Sequence, residues 1–205
     1  MILRRLLPVS CFVLLIATAT IPVYAGRMVS VDLGYFDTTS SNFGKGLIYG
    51  LGLTEGSGKI GFGIRALRFS HSHKGDTTTV TSEGKVHTTE LEETVNDFFI
   101  TILATYRHGD TKETDGFILG AGPQVHLVNS SIQIGDIKLS GRSSRLGFGL
   151  VFRYHRRIEM FGRSALVMTG AYSYVHKVAA HTDQYEPPRE TFSLASLTVG
   201  FAFPF

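Results

Sequence analysis

Strict two-residue alternation of large apolar and small or polar side chains constrains this chain most. It recurs eight times between residues 29 and 205. Val29, Val31, Leu33 and Tyr35 alternate with Ser30, Asp32 and Gly34, and Leu47, Tyr49, Leu51 and Leu53 with glycines and Ile48. The same rhythm runs through 60–66, 98–106, 117–122, 145–154, 166–174 and 197–205. Successive side chains of a strand point to opposite faces, so this period predicts strands with one apolar face. The 23 glycines argue against helices, since each costs about 1 kcal/mol relative to Ala in a helix interior. Only Glu90–Val95 reads as a short helical candidate.

The N-terminus has a different character. Arg4 and Arg5 precede an apolar run from Cys11 to Ile21, and Val23-Tyr24-Ala25 resembles a cleavage site before Gly26. This order predicts a secretory signal peptide over residues 1–25 and a single domain over 26–205. The run is shorter than the roughly 20 residues a membrane-spanning helix needs. Removing 25 of 205 residues leaves 180, and losing two arginines and no acid lowers the formal charge from +3 to +1. A nearly neutral chain without a basic run offers nothing for nucleic acid to bind. Cys11 is the only cysteine and falls inside the signal, so disulfide and thiol chemistry are excluded from the mature chain.

Eight alternating segments behind an export signal predict an all-β fold: an eight-stranded antiparallel up-and-down transmembrane barrel. Its apolar face would meet lipid, and its glycines, hydroxyls and charges would line the lumen. Connections 54–58, 108–115 and 156–163 are expected on the periplasmic side. The mostly longer stretches 37–45, 70–94, 127–144 and 176–191 are expected outside. Tyr35, Tyr49, Tyr172 and Tyr174 would form the outer aromatic girdle, and Tyr106 and Tyr154 the inner one.

The ending Leu197-Thr-Val-Gly-Phe-Ala-Phe-Pro-Phe205 resembles the last strand of bacterial outer-membrane barrels, and Gly116–Pro123 resembles the glycine-rich strand of small OmpX-, OmpW- and opacity-like barrels. The resemblance spans residues 26–205. It implies location in the outer membrane of a Gram-negative cell among lipid and lipopolysaccharide. It also implies recognition of Phe201, Phe203 and Phe205 by the barrel assembly machinery. Pro204 departs from the pattern by removing a backbone donor near the end.

Beyond the membrane, Glu83-Gly84 and Gly135-Asp136 read as hairpin tips, the second as a type II′ turn. Strands three to six are therefore expected to project outward, with a bulge near Asn96 where the apolar parity shifts between Val95 and Phe98. Residues 75–90 and 130–140 become candidate contacts for a host or surface protein. Asp32, Arg65, Asp97 and Arg153, with Arg145, are expected to pair inside the lumen as structural ions. His71, His73 and His87, and His176 and His181, match no recognised metal spacing, so no metal and no cofactor is expected.

The function expected is structural and surface-interacting, without enzymatic activity. A lipid A-modifying acyl hydrolase or acyltransferase is the alternative. Such deacylases carry His and Ser two residues apart on one strand face, and none of the eight histidines is followed so by Ser. A narrow channel or small hydrophobic-ligand carrier is the second alternative.

Overall fold

The computed structural model describes residues 27–56, 58–80, 86–108, 115–158, 164–176, 180–182 and 191–204. The segment 1–25 expected to be a signal peptide, the hairpin tip expected at Glu83-Gly84, and Phe205 lie outside them. The strands are β1 (Met28–Thr38), β2 (Lys45–Glu55), β3 (Ile60–Val80), β4 (Val86–His108), β5 (Asp115–Ile134), β6 (Ile137–Arg157), β7 (Ala165–Val175), β8 (Ala180–Thr182) and β9 (Phe192–Pro204). Neighbours in sequence pair antiparallel, β7 passes to β9, and β9 pairs with β1 from Met28–Pro204 to Thr38–Leu194. That last ladder closes an eight-stranded barrel. β8 is a short addition to β6, at Arg142–Ser144.

Registers fix the cylinder's shape. Stepping across ladders from Asp37 leads through Ala195, Tyr172, Leu150, Ala121, Ala104 and Phe62 to Glu55. Glu55 lies one step past the Met28–Thr54 pair, beside position 27. The path returns ten residues from its start (37 − 27). For usual strand rise and spacing, that stagger over eight strands tilts them roughly 40° from the axis.

Leu33, Leu47, Ile102, Leu119, Leu146 and Leu197 face outward, and Ser30, Asp32, Arg65, Thr101, Arg153 and Thr198 are buried inside. A water-soluble barrel would do the reverse. Tyr35, Tyr49, Tyr172 and Tyr174 face outward toward one end. Tyr106 pairs with Ile60 near the end that carries Met28 and Pro204. The two tyrosine groups thus occupy opposite margins of the apolar belt.

Four strands run far past this belt, each 20 to 23 residues long. Much of what the sequence suggested as long loops is therefore strand. Ile134 and Ile137 pair directly across Gly135-Asp136. Gly135 has φ 56°, a region that costs glycine little and other residues more.

Two expectations need correction. There is no bulge near Asn96: it pairs with Ser70, in a β3–β4 ladder of constant offset from Ile60–Tyr106 to Val80–Val86. The β4–β5 ladder also keeps its offset on either side, and lapses only between Thr101–Gln124 and Ala104–Ala121. Pro123 falls in that gap and has no N–H to donate. Nor is the whole lumen polar. Toward the outer end Phe36, Phe43, Phe69, Val95, Phe99 and Phe192 belong to an inward apolar cluster. The apparent parity shift at Val95 is this plug, built on an unbroken strand.

Ile102 lies between the two tyrosine margins and points outward. Ile102→Arg should cost about 2–4 kcal/mol for a cation at the bilayer midplane. Equilibrium urea unfolding in lipid vesicles measures this. A near-zero change would mean that this face meets water.

Candidate functional site in the lumen and the projecting sheet

Two separate polar groups are built inside the wall. In the inner one, Asp32 on β1 meets two arginines from other strands. Arg65 Nη2 and Arg153 Nη2 each donate to Asp32 Oδ2 at 3.3 Å. All three side chains are nearly inaccessible. Arg153 also donates to Thr169 Oγ1 at 3.2 Å, Thr54 Oγ1 at 3.5 Å and Ser30 Oγ at 3.1 Å. Arg65 donates to Thr198 Oγ1 at 3.5 Å. Glycine makes room for this packing: a Cβ on Gly52 would stand 2.7 Å from Ser30 Oγ and 3.0 Å from Arg153 Nη2. In low dielectric, such charges persist only when mutual attraction and hydrogen bonds replace hydration.

Asp97 does not join that group. It lies farther out, where His126 Nδ1 is 2.7 Å from Asp97 Oδ2 and His126 Nε2 is 3.3 Å from Gln124 Oε1. The Gln124 amide nitrogen donates to Thr101 Oγ1 at 2.9 Å. The imidazole stacks on Phe99 at 4.6 Å and is completely buried. Arg145 sits beside the apolar plug, its guanidinium carbon 4.9 Å from the centre of the Phe43 ring and 5.8 Å from that of Phe192. Asp32, Arg65 and Arg153 thus gather in one group, while Asp97, expected among them, pairs instead with His126 of the next strand. The available signal was parity: His126 shares the inward face with Gln124 and Val128.

His126 Nε2 faces an amide oxygen, not a hydroxyl, so the Asp97–His126 pair has no nucleophile in hydrogen-bond contact with it among the described residues. An acyl transfer site needs one there. Among the described residues, no three His, Cys, Asp or Glu side chains gather closely enough to hold a metal ion. His71 Nδ1 lies 3.2 Å from Lys45 O, beside the β1–β2 connection. The side chains of His87 and His181 lie outside the described residues.

The second candidate region is the extension of β3–β6. β2 leaves β3 after the Ile48–Phe69 pair, whereas β3–β4, β4–β5 and β5–β6 continue outward. The outer end is therefore a four-stranded sheet as far as the row of Gly75, Leu91, Ile134 and Ile137, and a β3–β4 hairpin beyond it; the β3 edge, from Ser72 to Val80, pairs with no other described strand. Lys74 Nζ donates to Glu90 Oε1 at 3.2 Å and lies 3.9 Å from Glu92. The hydrogen bond to Glu90, and then the two carboxylate charges, hold the ammonium above its ordinary pKa. Phe201 and Phe203 face outward on β9, opposite Val31 and Val29 of β1.

Removing the shared carboxylate tests the inner group. Asp32→Ala leaves two guanidiniums buried without their counter-charge and should cost about 3–5 kcal/mol. Replacing Asp32, Arg65 and Arg153 together by Leu, Met and Met should recover most of that loss. Urea titration of the refolded barrel in detergent reads both effects; a single variant as stable as the parent would show that the three side chains do not share one ion-pair network.

Neither the family models nor the curated proteins match this sequence. Solved structures do. Neisserial surface protein A is 18% identical over 88% of this chain and 97% of its own, with a TM-score of 0.52. A major outer membrane protein from Thermus thermophilus is 12% identical over 87% of this chain and 99% of its own, with a TM-score of 0.57. At these identities the likeness speaks for fold. With an apolar outer belt and ions held inside, the chain has the closed eight-stranded architecture of the small bacterial outer-membrane barrels.

Proposed function

We propose that this protein is an outer-membrane anchor for a surface-interaction sheet, and that its β3–β6 extension captures an external protein by strand addition. The supporting observation is the β3 edge from Ser72 to Val80, which pairs with no other described strand and is backed by β4, β5 and β6 as far as Gly75 and by β4 beyond it. An edge strand offers a row of N–H and C=O groups, and an extended segment of a partner satisfies them by becoming the next strand. Main-chain hydrogen bonds supply affinity. Alternate side chains along the edge supply selection. Lys74 and its two glutamates place charge near the same edge, which discourages indiscriminate pairing between copies.

The lumen supports this reading over a channel. Its outer part is filled by aromatic rings and its inner part by paired ions, as the narrow bore of eight strands allows. The lipid partners belong to the same proposal: the outward belt contacts acyl chains. Phe201 and Phe203, with Phe205, present the terminal strand to the assembly machinery. The acyl hydrolase reading lacks support where it would need it, at His126.

The test uses the folded protein in outer-membrane vesicles against immobilised matrix proteins and cells. Deleting residues 75–90 should abolish binding while leaving the heat-modifiable gel mobility of the barrel intact. Binding unchanged by the deletion would remove the sheet extension from the account. An altered acyl pattern of lipid A in cells carrying the intact protein would favour the enzyme instead.

A further inference from the structure

Arg68 breaks the rule that governs the outer wall. It lies on β3 between the buried Leu67 and Phe69, so its side chain points out of the barrel, where it is exposed. It pairs with Tyr49 of the outer tyrosine margin and with Phe98, both of which also face outward. Leu47 beside Tyr49, and Leu127 paired with Phe98, continue the apolar belt to either side. The guanidinium therefore starts within the belt and not beyond it. Among the described residues Arg68 has neither a hydrogen bond nor an ion pair. Of the outward carboxylates toward this end, Asp37 lies opposite Lys45, and Glu90 and Glu92 share Lys74. A lipid-facing cation is tolerated when its long stem carries the charge to the head groups or to an anion there.

The outward surface changes character at this residue. Ser70 stands two residues farther out on the same face, and Asn96 of β4 pairs with it. On the bilayer side, Leu51, Ile64 and Ile100 continue the same face with aliphatic carbon. A cation, a hydroxyl and an amide thus meet at the border of a hydrocarbon strip. That order matches an amphiphile with an anionic head and apolar tails.

We propose that Arg68 binds the phosphate of one outer-leaflet lipid, with Ser70 and Asn96 beside the head group and the acyl chains along Leu51, Ile64 and Ile100. A planar guanidinium presents paired N–H donors that match two phosphate oxygens, and such charge-assisted bonds are among the strong ones. Acyl chains carry no charge, so the anion within reach of a belt cation is a head group. The tails hold that phosphate at the depth where Tyr49 and Phe98 stand, whereas free phosphate must leave water to reach it. The site lies on the same strand as the β3 edge but does not depend on strand capture there, since Arg68 still pairs on both sides within the wall.

The experiment is native mass spectrometry of the whole refolded protein, released from a neutral, phosphate-free maltoside detergent after titration with dioleoyl phosphatidic acid. A single adduct should saturate first. Dioleoylglycerol, with the same chains and no phosphate, and inorganic phosphate, with no chains, should each bind at least about tenfold more weakly, as loss of charge-assisted hydrogen bonds or of the buried chains requires. Arg68→Gln should weaken the phosphatidic acid adduct by about tenfold or more, and Arg68→Lys, which keeps the charge without the fork, should fall between it and the parent. Removing a lipid-facing cation leaves the wall intact, and heat-modifiable gel mobility checks that both variants fold. Lys59→Gln removes an exposed cation at the inner end and should change nothing. An adduct unchanged in Arg68→Gln would overturn the proposal, as would an equal loss in Lys59→Gln, which would mark a general charge effect. Dioleoylglycerol bound as tightly as phosphatidic acid would reduce the site to apolar contact, and inorganic phosphate bound as tightly would remove the lipid from it.

Discussion

Everything here depends on the β1–β9 ladder. A strand in lipid cannot give its N–H and C=O groups to water, and each group left unmade costs several kcal/mol. An open sheet has two such rows. Pairing from Met28–Pro204 to Thr38–Leu194 removes both at once. Closure explains why side chains can be sorted as they are. With the backbone satisfied within the wall, leucines, isoleucines and phenylalanines are free to face acyl chains, and the interior is left to whatever can pair with itself. Closure also fixes the bore, because eight strands and a stagger of ten leave room for side chains and little else.

A narrow bore forces a choice on every inward residue. Glycine and alanine keep space, hydroxyls bridge, and an ion must find its opposite. The inner half takes the ionic solution with Asp32, Arg65 and Arg153, and Gly52 keeps the clearance around Arg153. The outer half takes the apolar solution with stacked rings, such as Phe43 on Phe192 at 4.1 Å and Phe36 against Phe69 at the same distance. Asp97 and His126 stand where the two solutions meet, hydrogen-bonded to each other while Phe99 covers the imidazole. The rings also close the lumen toward the outside, which keeps the inner ions from bulk water.

The barrel was legible because its signal is local and repeated. Leu33, Leu51, Ile102, Leu150 and Val199 each sit two residues from another outward apolar side chain, and nothing distant is needed to read them. The lengths of β3 to β6 were legible for a similar reason, since Thr77–Thr79 and Ile132–Ile134 flank turn chemistry. The plug was not legible. Val95 and Phe99 look like lipid-facing residues in the wrong phase, so a slipped strand was the economical reading, although the inward parity through Asp97 never changes. Ion partners were only partly legible, because pairing inside a barrel depends on stagger. Asp32 and Arg153 are 121 residues apart and meet across the bore, whereas Asp97 is carried outward by the tilt of β4 and finds His126 on the next strand.

The projecting sheet reverses the rule that governs the wall. Inside the membrane no edge is tolerated. Beyond it water can satisfy the β3 edge, so the ladder with β2 can end at Phe69 at little cost. The same three strand pairs that complete the wall then extend outward in register as far as Gly75, and β3 and β4 continue beyond it as a hairpin. A partner strand added to β3 would replace water on groups already held in register, and the chain would lose little further conformational freedom. Rigidity imposed by lipid on one half of each strand is in this way transmitted to the half that lipid never touches.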